Sequence, residues 1–468
     1  MQENAKNNKY RFEKIFKFIK EKFASQTIEQ TIMFASVLKW IILSVSVGII
    51  IGYAVGIFLE ILHGSFNYRK QTIIPYFLFL PFALVISTFL VKVFAPTAEG
   101  HGTEKVIEAV HKSDGKINIA VIPIKLLATV LTIFAGGSAG KEGPGAQIGA
   151  AAASLFADIF RFSKHDRKKL VICGISAGFA SVFGTPIAGA IFGVEVLFIG
   201  AIMYDVLLPS MVSGLTAYMI VRSLGIAHGS YNVLFVQSTT NEMLFMEVLF
   251  AGVFFGIISV LFIKILKVVH NFSKKSKLNI YLKSFLAGLV IVGLTFIFGE
   301  KYLGLGLDTI LNAVTTGKRV FWFDSFVKMI FTSITLSFGG SGGILTPVFF
   351  VGATSGHFYA DIIGGYAPLF AAIGFVSVLS GATNAPIAAS IMAVELFGIE
   401  IAQYAAISCV ISYLITGHKS VFPSQILAMK KCGAFDVEMG EDIEHTKVRY
   451  NSKRYRRIYK QFRKYLKK

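Results

Sequence analysis

The sequence predicts an all-α integral membrane protein made of two inverted-topology repeats of tilted and broken helices. Three observations carry this: a largely apolar middle between basic ends, apolar segments too short to cross a bilayer, and an internal duplication. The 468 residues are 54% hydrophobic and 16% charged, with a mean hydropathy of +0.65. Soluble chains carry about 25% charged residues, so a water-soluble globule is excluded.

The charge sits at the ends. Residues 1–30 hold seven Lys/Arg against four Glu and lack the apolar core of a cleavable signal peptide; residues 430–468 hold thirteen against five acids. Both ends read as cytoplasmic by the positive-inside rule, which implies an even number of crossings. With excesses of three and eight, the basic ends contribute +11 of the formal charge of +19, which needs no nucleic-acid partner. Cys173, Cys409 and Cys432 form no CxxC pair and are too few for a disulfide framework, and no metal site is indicated.

Tyr10, Phe12, Ile15, Phe16, Ile19 and Phe23 recur at near-helical spacing between lysines, as in an amphipathic helix lying on the membrane surface. Apolar stretches follow at 31–62, 72–95, 119–135, 170–183, 185–226, 244–270, 279–299, 323–338, 365–380 and 386–416. A span needs about 20 residues. The shorter stretches, punctuated by glycine and proline, read as half-helices that stop inside the membrane, which is tolerated where backbone lines a protein-enclosed cavity.

Shifting the chain by 203 positions sets Gly136-Gly137-Ser138-Ala139-Gly140-Lys141-Glu142-Gly143-Pro144 beside Gly339-Gly340-Ser341-Gly342-Gly343-Ile344-Leu345-Thr346-Pro347, with seven of 18 positions identical over 136–153. At an offset of 200, residues 183–196 match 383–396 at six of 14, including Pro186/Pro386 and Glu195/Glu395. The chain therefore reads as a duplicated unit, with halves near 31–230 and 244–425. An even total of crossings in two equivalent halves allows an odd number per half, which inverts the second copy. Such repeats place a substrate site near the midplane, where broken helices meet.

In both matched segments a glycine cluster is followed by proline and an apolar run, the signature of a helix start. Its unpaired N–H groups and about half a positive charge from the macrodipole face outward, so two such ends at mid-membrane attract an anion. Glu142 stands in this otherwise small and apolar stretch, where a carboxylate is costly unless functional. Ionised, it fills the electropositive site as a tethered anion; protonated or displaced, it vacates the site for a mobile one. Gly140-Lys141 is not a phosphate loop, because Glu142 follows the lysine and Ala135 stands where the first glycine belongs. No HExxH site and no soluble domain that could host a catalytic site is evident, and an enzyme is not expected.

At these residues the chain resembles the CLC family of chloride channels and proton-coupled chloride exchangers, of the bacterial type without CBS domains. Gly140-Lys141-Glu142-Gly143-Pro144 is similar to the family's G(K/R)EGP motif, Gly343-Ile344-Leu345-Thr346-Pro347 to GIFxP, and Gly100-His101-Gly102-Thr103-Glu104 falls at GSGIP; Val421-Phe422-Pro423-Ser424-Gln425 follows near the end. The resemblance implies a homodimer whose subunits each hold an anion path. It makes Glu142 the gate and gives the amides near Lys141, Gly143, Ile344 and Leu345 the anion-binding role. The family's central serine and tyrosine hydroxyls are missing: His101 replaces the first, and Phe422, or Pro423 in an alignment one residue later, stands at the second. A His101 N–H can serve as an anion donor; the rival is a bond to a carbonyl or to Glu104. Val196 occupies the internal proton-relay position, and the repeat mate Glu395 gives adjacent Glu195 a structural reading.

The expectation is chloride transport through a CLC-type path gated by Glu142, as a channel or as a proton/chloride antiporter with altered coupling. A fluoride/proton exchanger of the same fold, and a non-transporting membrane protein, are the alternatives. Expected partners are chloride, protons, the lipid bilayer and a second copy; no cofactor is expected. The division is 1–30 amphipathic segment, 31–230 first repeat, 231–283 start of the second repeat with a basic linker, 284–425 its remainder, and 426–468 a basic cytoplasmic tail whose Lys453–Lys468 cluster rests on headgroups.

Overall fold

The computed structural model describes residues 2–69, 74–226, 242–316, 320–446 and 448–450, with the side chains of residues 2–27 and 450 outside that description. The first eight helices are α1 (Gln2–Arg69), α2 (Leu80–Phe94), α3 (Thr103–Lys112), α4 (Val121–Phe134), α5 (Glu142–Ile159), α6 (Lys164–Phe183), α7 (Pro186–Glu195) and α8 (Tyr204–Ser223). The second eight are α9 (Glu242–Lys275), α10 (Ile280–Phe298), α11 (Leu307–Leu311), α12 (Asp324–Ser337), α13 (Leu345–Ile363), α14 (Ala367–Thr383), α15 (Pro386–Phe397) and α16 (Ile399–Thr416).

Among the described residues, six helical segments are long and apolar enough to span: Ile28–Arg69, Tyr76–Phe94, Tyr204–Ser223, Glu242–Lys275, Ile280–Phe298 and Ile399–Thr416. Four apolar helices of 10–17 residues, α4, α7, α14 and α15, are too short. Their starts and stops are local. Pro186, Pro368 and Pro386 sit in first turns, where the missing N–H costs nothing, and Gly184 and Asn384 end α6 and α14 in the left-handed conformation.

The 185–226 stretch divides into α7 and α8 around a two-residue strand, β1 (Phe198–Ile199), and the 386–416 stretch divides into α15 and α16 at Gly398, whose φ is +97°. Apolarity cannot register such breaks, because both sides of each remain buried in protein or facing lipid. Helix α1 runs unbroken from Gln2 through the first span. The amphipathic face Tyr10–Phe23 and the Lys453–Lys468 cluster lie outside the described side chains.

The two halves are inverted copies of each other, and their hydrogen bonds are reciprocal. Gly140 and Gly343 form an antiparallel bridge, each amide donating to the other's carbonyl at 2.6 Å. The Ser138 amide donates to Thr335 Oγ1 and the Ser341 amide to Thr132 Oγ1, both at 3.1 Å. Each pair exchanges residues 203 apart, as a two-fold axis through the bridge requires. Around it α5 packs on α6, and α13 on α14, at glycines: a Cβ on Gly149 would meet the Gly174 carbonyl at 2.5 Å, and Gly352 lies as tightly against Gly374.

The chain after α16 returns to the core. Strand β2 (Ile426–Leu427) pairs in parallel with β1, and Gln425 Nε2 donates to the carbonyls of Val196 and Thr383 at 2.8 Å. A hairpin of β3 (Phe435–Asp436) and β4 (Arg449–Tyr450) follows.

Candidate functional site

The α5 and α13 N-termini meet at the bridge. Their N-cap residues, Lys141 and Ile344, have the same backbone angles, φ −99° and ψ −15°, so both helices begin with the same geometry. Gly136 (φ +95°) and Gly339 (φ +97°) turn the chain ahead of each in a region that only glycine enters cheaply. Pro144 and Pro347 carry no N–H, and among the described residues no hydrogen bond takes the amides of Gly143, Ile344 or Leu345. These donors and both macrodipole ends are available to an anion.

Glu142 belongs to the first turn of α5, but its carboxylate lies on the other repeat. Thr346 Oγ1 is 2.6 and 2.7 Å from its two oxygens, and the Thr346 amide donates to Oε2 at 3.1 Å. At 3% exposure this is a buried carboxylate on a helix N-terminus, held by charge-assisted hydrogen bonds. A cavity of about 200 Å³ opens onto it, lined by Lys141, Glu142, Thr346, Asp308, Phe349 and Phe375. The last two rings stack at 4.1 Å between centroids, giving the cavity an apolar wall.

His101 precedes the N-cap Gly102 of α3, and its carbonyl is pressed against Gly143, where a Cβ would have no room. Phe422 is fully buried, donates its amide to Ser420 Oγ at 2.9 Å, and sets its ring 6.1 Å from the imidazole. All the residues singled out in the sequence, Glu142, His101, Lys141, Gly143, Ile344, Leu345 and Phe422, thus lie around the ends of α3, α5 and α13. His101 does not bond Glu104. The Glu104 carboxylate accepts from the Ser424 amide and hydroxyl at 2.9 and 2.5 Å, while His101 Nδ1 is buried without a partner among the described residues.

Glu195 and Glu395 cap each other's helices. Glu195 accepts from the Ile387 and Ala388 amides at 3.0 and 2.7 Å, and Glu395 from the Ile187 and Ala188 amides at 3.1 and 2.8 Å. Val196, fully buried, presents only its carbonyl, to Gln425.

Two parts of the site were missed in the sequence. Thr346, the partner of Glu142, stands at the repeat position of Gly143, so its departure from the first copy was the available signal. Lys125 and Lys328, 203 apart and fully buried on α4 and α12, each donate to two carbonyls: Ala98 (3.0 Å) and Gly100 (2.6 Å), and Tyr302 (3.0 Å) and Gly304 (2.9 Å). Extending the self-comparison to 121–134 would have paired them.

A family model described as "Voltage gated chloride channel" matches residues 82–417. A chloride/fluoride channel protein of Pseudomonas syringae pv. tomato is 34% identical over 417 residues, covering 86% of this chain and 90% of the relative. Among solved structures, a CLC-type fluoride/proton antiporter superposes with a TM-score of 0.78 at 29% identity, covering 83% of this chain and 98% of that one. A slow cyanobacterial Cl⁻/H⁺ antiporter, at a TM-score of 0.70 and 20% identity over 81% and 94% of the two chains, shares the fold.

Proposed function

We propose, for a chain that belongs to the voltage-gated chloride channel family, that it moves a small halide across the membrane in exchange for protons, with Glu142 as the gate both ions use. The observation that carries this is the seat of Glu142. A carboxylate from one repeat fills the helix N-terminus of the other, where an anion would sit, and it can vacate that seat by taking up a proton. Proton uptake by Glu142 and anion entry into the seat it leaves are then linked at one place, which is the condition for exchange.

A second reading concerns the halide. The central hydroxyls expected at residues 101 and 422 are replaced by His101 and Phe422, while a hydroxyl appears instead at Thr346, bonded to the gate. The strongest hydrogen-bond acceptor among the halides gains most from such a donor, and this supports fluoride over chloride as the coupled ion. The relative from Pseudomonas and the fluoride/proton antiporter described above bear those anions in their names.

The anion donors in this reading are the Gly143, Ile344 and Leu345 amides, the Lys141 N-terminus and His101. Both chain ends face the cytoplasm, and Ile187, Ile387, Leu215, Val410 and Leu414 expose apolar surface that a second copy covers. The test is purified protein in liposomes with chloride or fluoride gradients, recording anion and proton movement together. Uphill proton movement in wild type that Glu142→Gln abolishes supports exchange. Anion flux without coupled protons makes the protein a channel, and no flux of either halide removes the reading.

A further inference from the structure

An exchanger needs a proton path on the far side of the anion seat, and the residue at the relay position and the carboxylate beside it do not provide it. Val196 cannot titrate, and Glu195 spends both oxygens on the α15 amides. A different group of side chains is left with unspent hydrogen-bonding capacity. Among the described residues, the buried side-chain atoms without a partner include His101 Nδ1, Thr103 Oγ1 and Glu104 Oε2, three within four consecutive residues at the start of α3. Thr103 is 1% exposed. Orphaned buried polar atoms cost about 1–3 kcal/mol each, so a cluster of them signals a ligand or a transferred proton.

The geometry points to Glu104 as the proton carrier on this side of the path, working with His101 and the Thr103 hydroxyl, an inference that rests on the exchange reading above. Glu104 is anchored by one oxygen only: Oε1 accepts from the Ser424 amide and hydroxyl, fixing the carboxyl while Oε2 stays available. Loading adds a proton to Oε2. Transfer breaks that O–H bond and forms an N–H bond at Nδ1 of a His101 whose other proton is on Nε2, leaving a carboxylate and an imidazolium. The Thr103 hydroxyl can accept on a lone pair while giving up its own proton, and lies between them in the chain. The His101 carbonyl touches Gly143, beside Glu142, so the imidazolium stands next to the turn that carries the gate.

The charged groups acting on this pair are Lys105 and Glu108 on α3 itself, joined at 2.9 Å, Lys125 on α4, and His270 on α9. Lys125 is already committed to two carbonyls, and Lys105 and Glu108 largely cancel, so no fixed cation holds Glu104 in its charged form.

The experiment is the same liposome assay on Glu104→Gln, with the proton-to-anion ratio as readout. Glutamine keeps an acceptor for Ser424 but cannot release a proton, and the ratio should fall tenfold or more, with Glu104→Asp restoring it in part. Ser424→Ala removes a donor that favours the carboxylate, so the pH midpoint of proton movement should rise; a bond serving structure alone would leave that midpoint in place. Should Glu104→Gln fail to fold, the Ser424→Ala midpoint decides. A wild-type ratio in Glu104→Gln, or an unmoved midpoint in Ser424→Ala, overturns the assignment while leaving exchange through Glu142 intact. Absence of proton movement in wild type overturns the exchange reading and the relay with it.

Discussion

Replacing Thr346 by valine removes one hydroxyl from the Glu142 seat and changes little else, since valine has the same shape and the Thr346 amide stays in place at 3.1 Å. The hydroxyl proton is shared between two carboxylate oxygens at 2.6 and 2.7 Å, so it counts as one hydrogen bond to a charged group. Such bonds contribute about 1.5–3 kcal/mol. Glu142 is 3% exposed, so solvent does not screen it. At about 1.4 kcal/mol per tenfold, the seated state should lose about 10- to 150-fold in population relative to the displaced one. If anion and carboxylate compete for this seat, Thr346→Val should bind chloride more tightly, by up to that factor, and fluoride by less, because fluoride also draws on the hydroxyl as a donor. Isothermal titration of purified wild type, Thr346→Val and Thr346→Ser with fluoride and chloride measures it, and serine should behave like wild type. Chloride affinity within twofold of wild type in Thr346→Val, or weaker chloride binding, would refute competition at the seat; fluoride gaining as much as chloride would remove the hydroxyl as a fluoride donor.

Other outcomes follow from the same contacts. His101→Ala should weaken halide binding and remove part of its pH dependence, and isotherms unchanged at both pH 5 and pH 8 would reject the imidazole as an anion donor. Lys328→Met strands the Tyr302 and Gly304 carbonyls without a donor, each costing about 1–3 kcal/mol, which should appear as a lower midpoint in a thermal size-exclusion series. Lys125→Met strands the Ala98 and Gly100 carbonyls in the same way, but the loop it frees also carries His101, so anion affinity should fall together with stability in that variant alone.

The sequence by itself determined the membrane class, the duplication and the position of a costly carboxylate at a helix start. These follow from quantities that are local or periodic: hydropathy summed over a segment, glycine and proline at helix starts, and a 203-residue offset that pairs Gly140 with Gly343. A buried acid in a stretch of small residues stands out without any coordinates, as Glu142 does. Inversion of the second half could be argued from crossing parity, because the lysines and arginines of both ends lead to the expectation that they lie on one side.

Only the tertiary structure decided how those segments touch. The Glu142 carboxylate leaves its own helix for the α13 N-terminus, and the Glu195 and Glu395 carboxylates cap helices in the opposite repeat. The Lys125 and Lys328 ammonium groups are satisfied by loops more than twenty residues away in the chain. The reason is physical. In a protein interior shielded from water, each polar group must find a partner wherever the fold brings one, and that place depends on three-dimensional packing rather than on spacing along the chain. Hence a sequence marks which polar residues are costly to bury, while the folded chain alone shows which atoms relieve that cost and which, at His101, Thr103 and Glu104, remain available for a passenger.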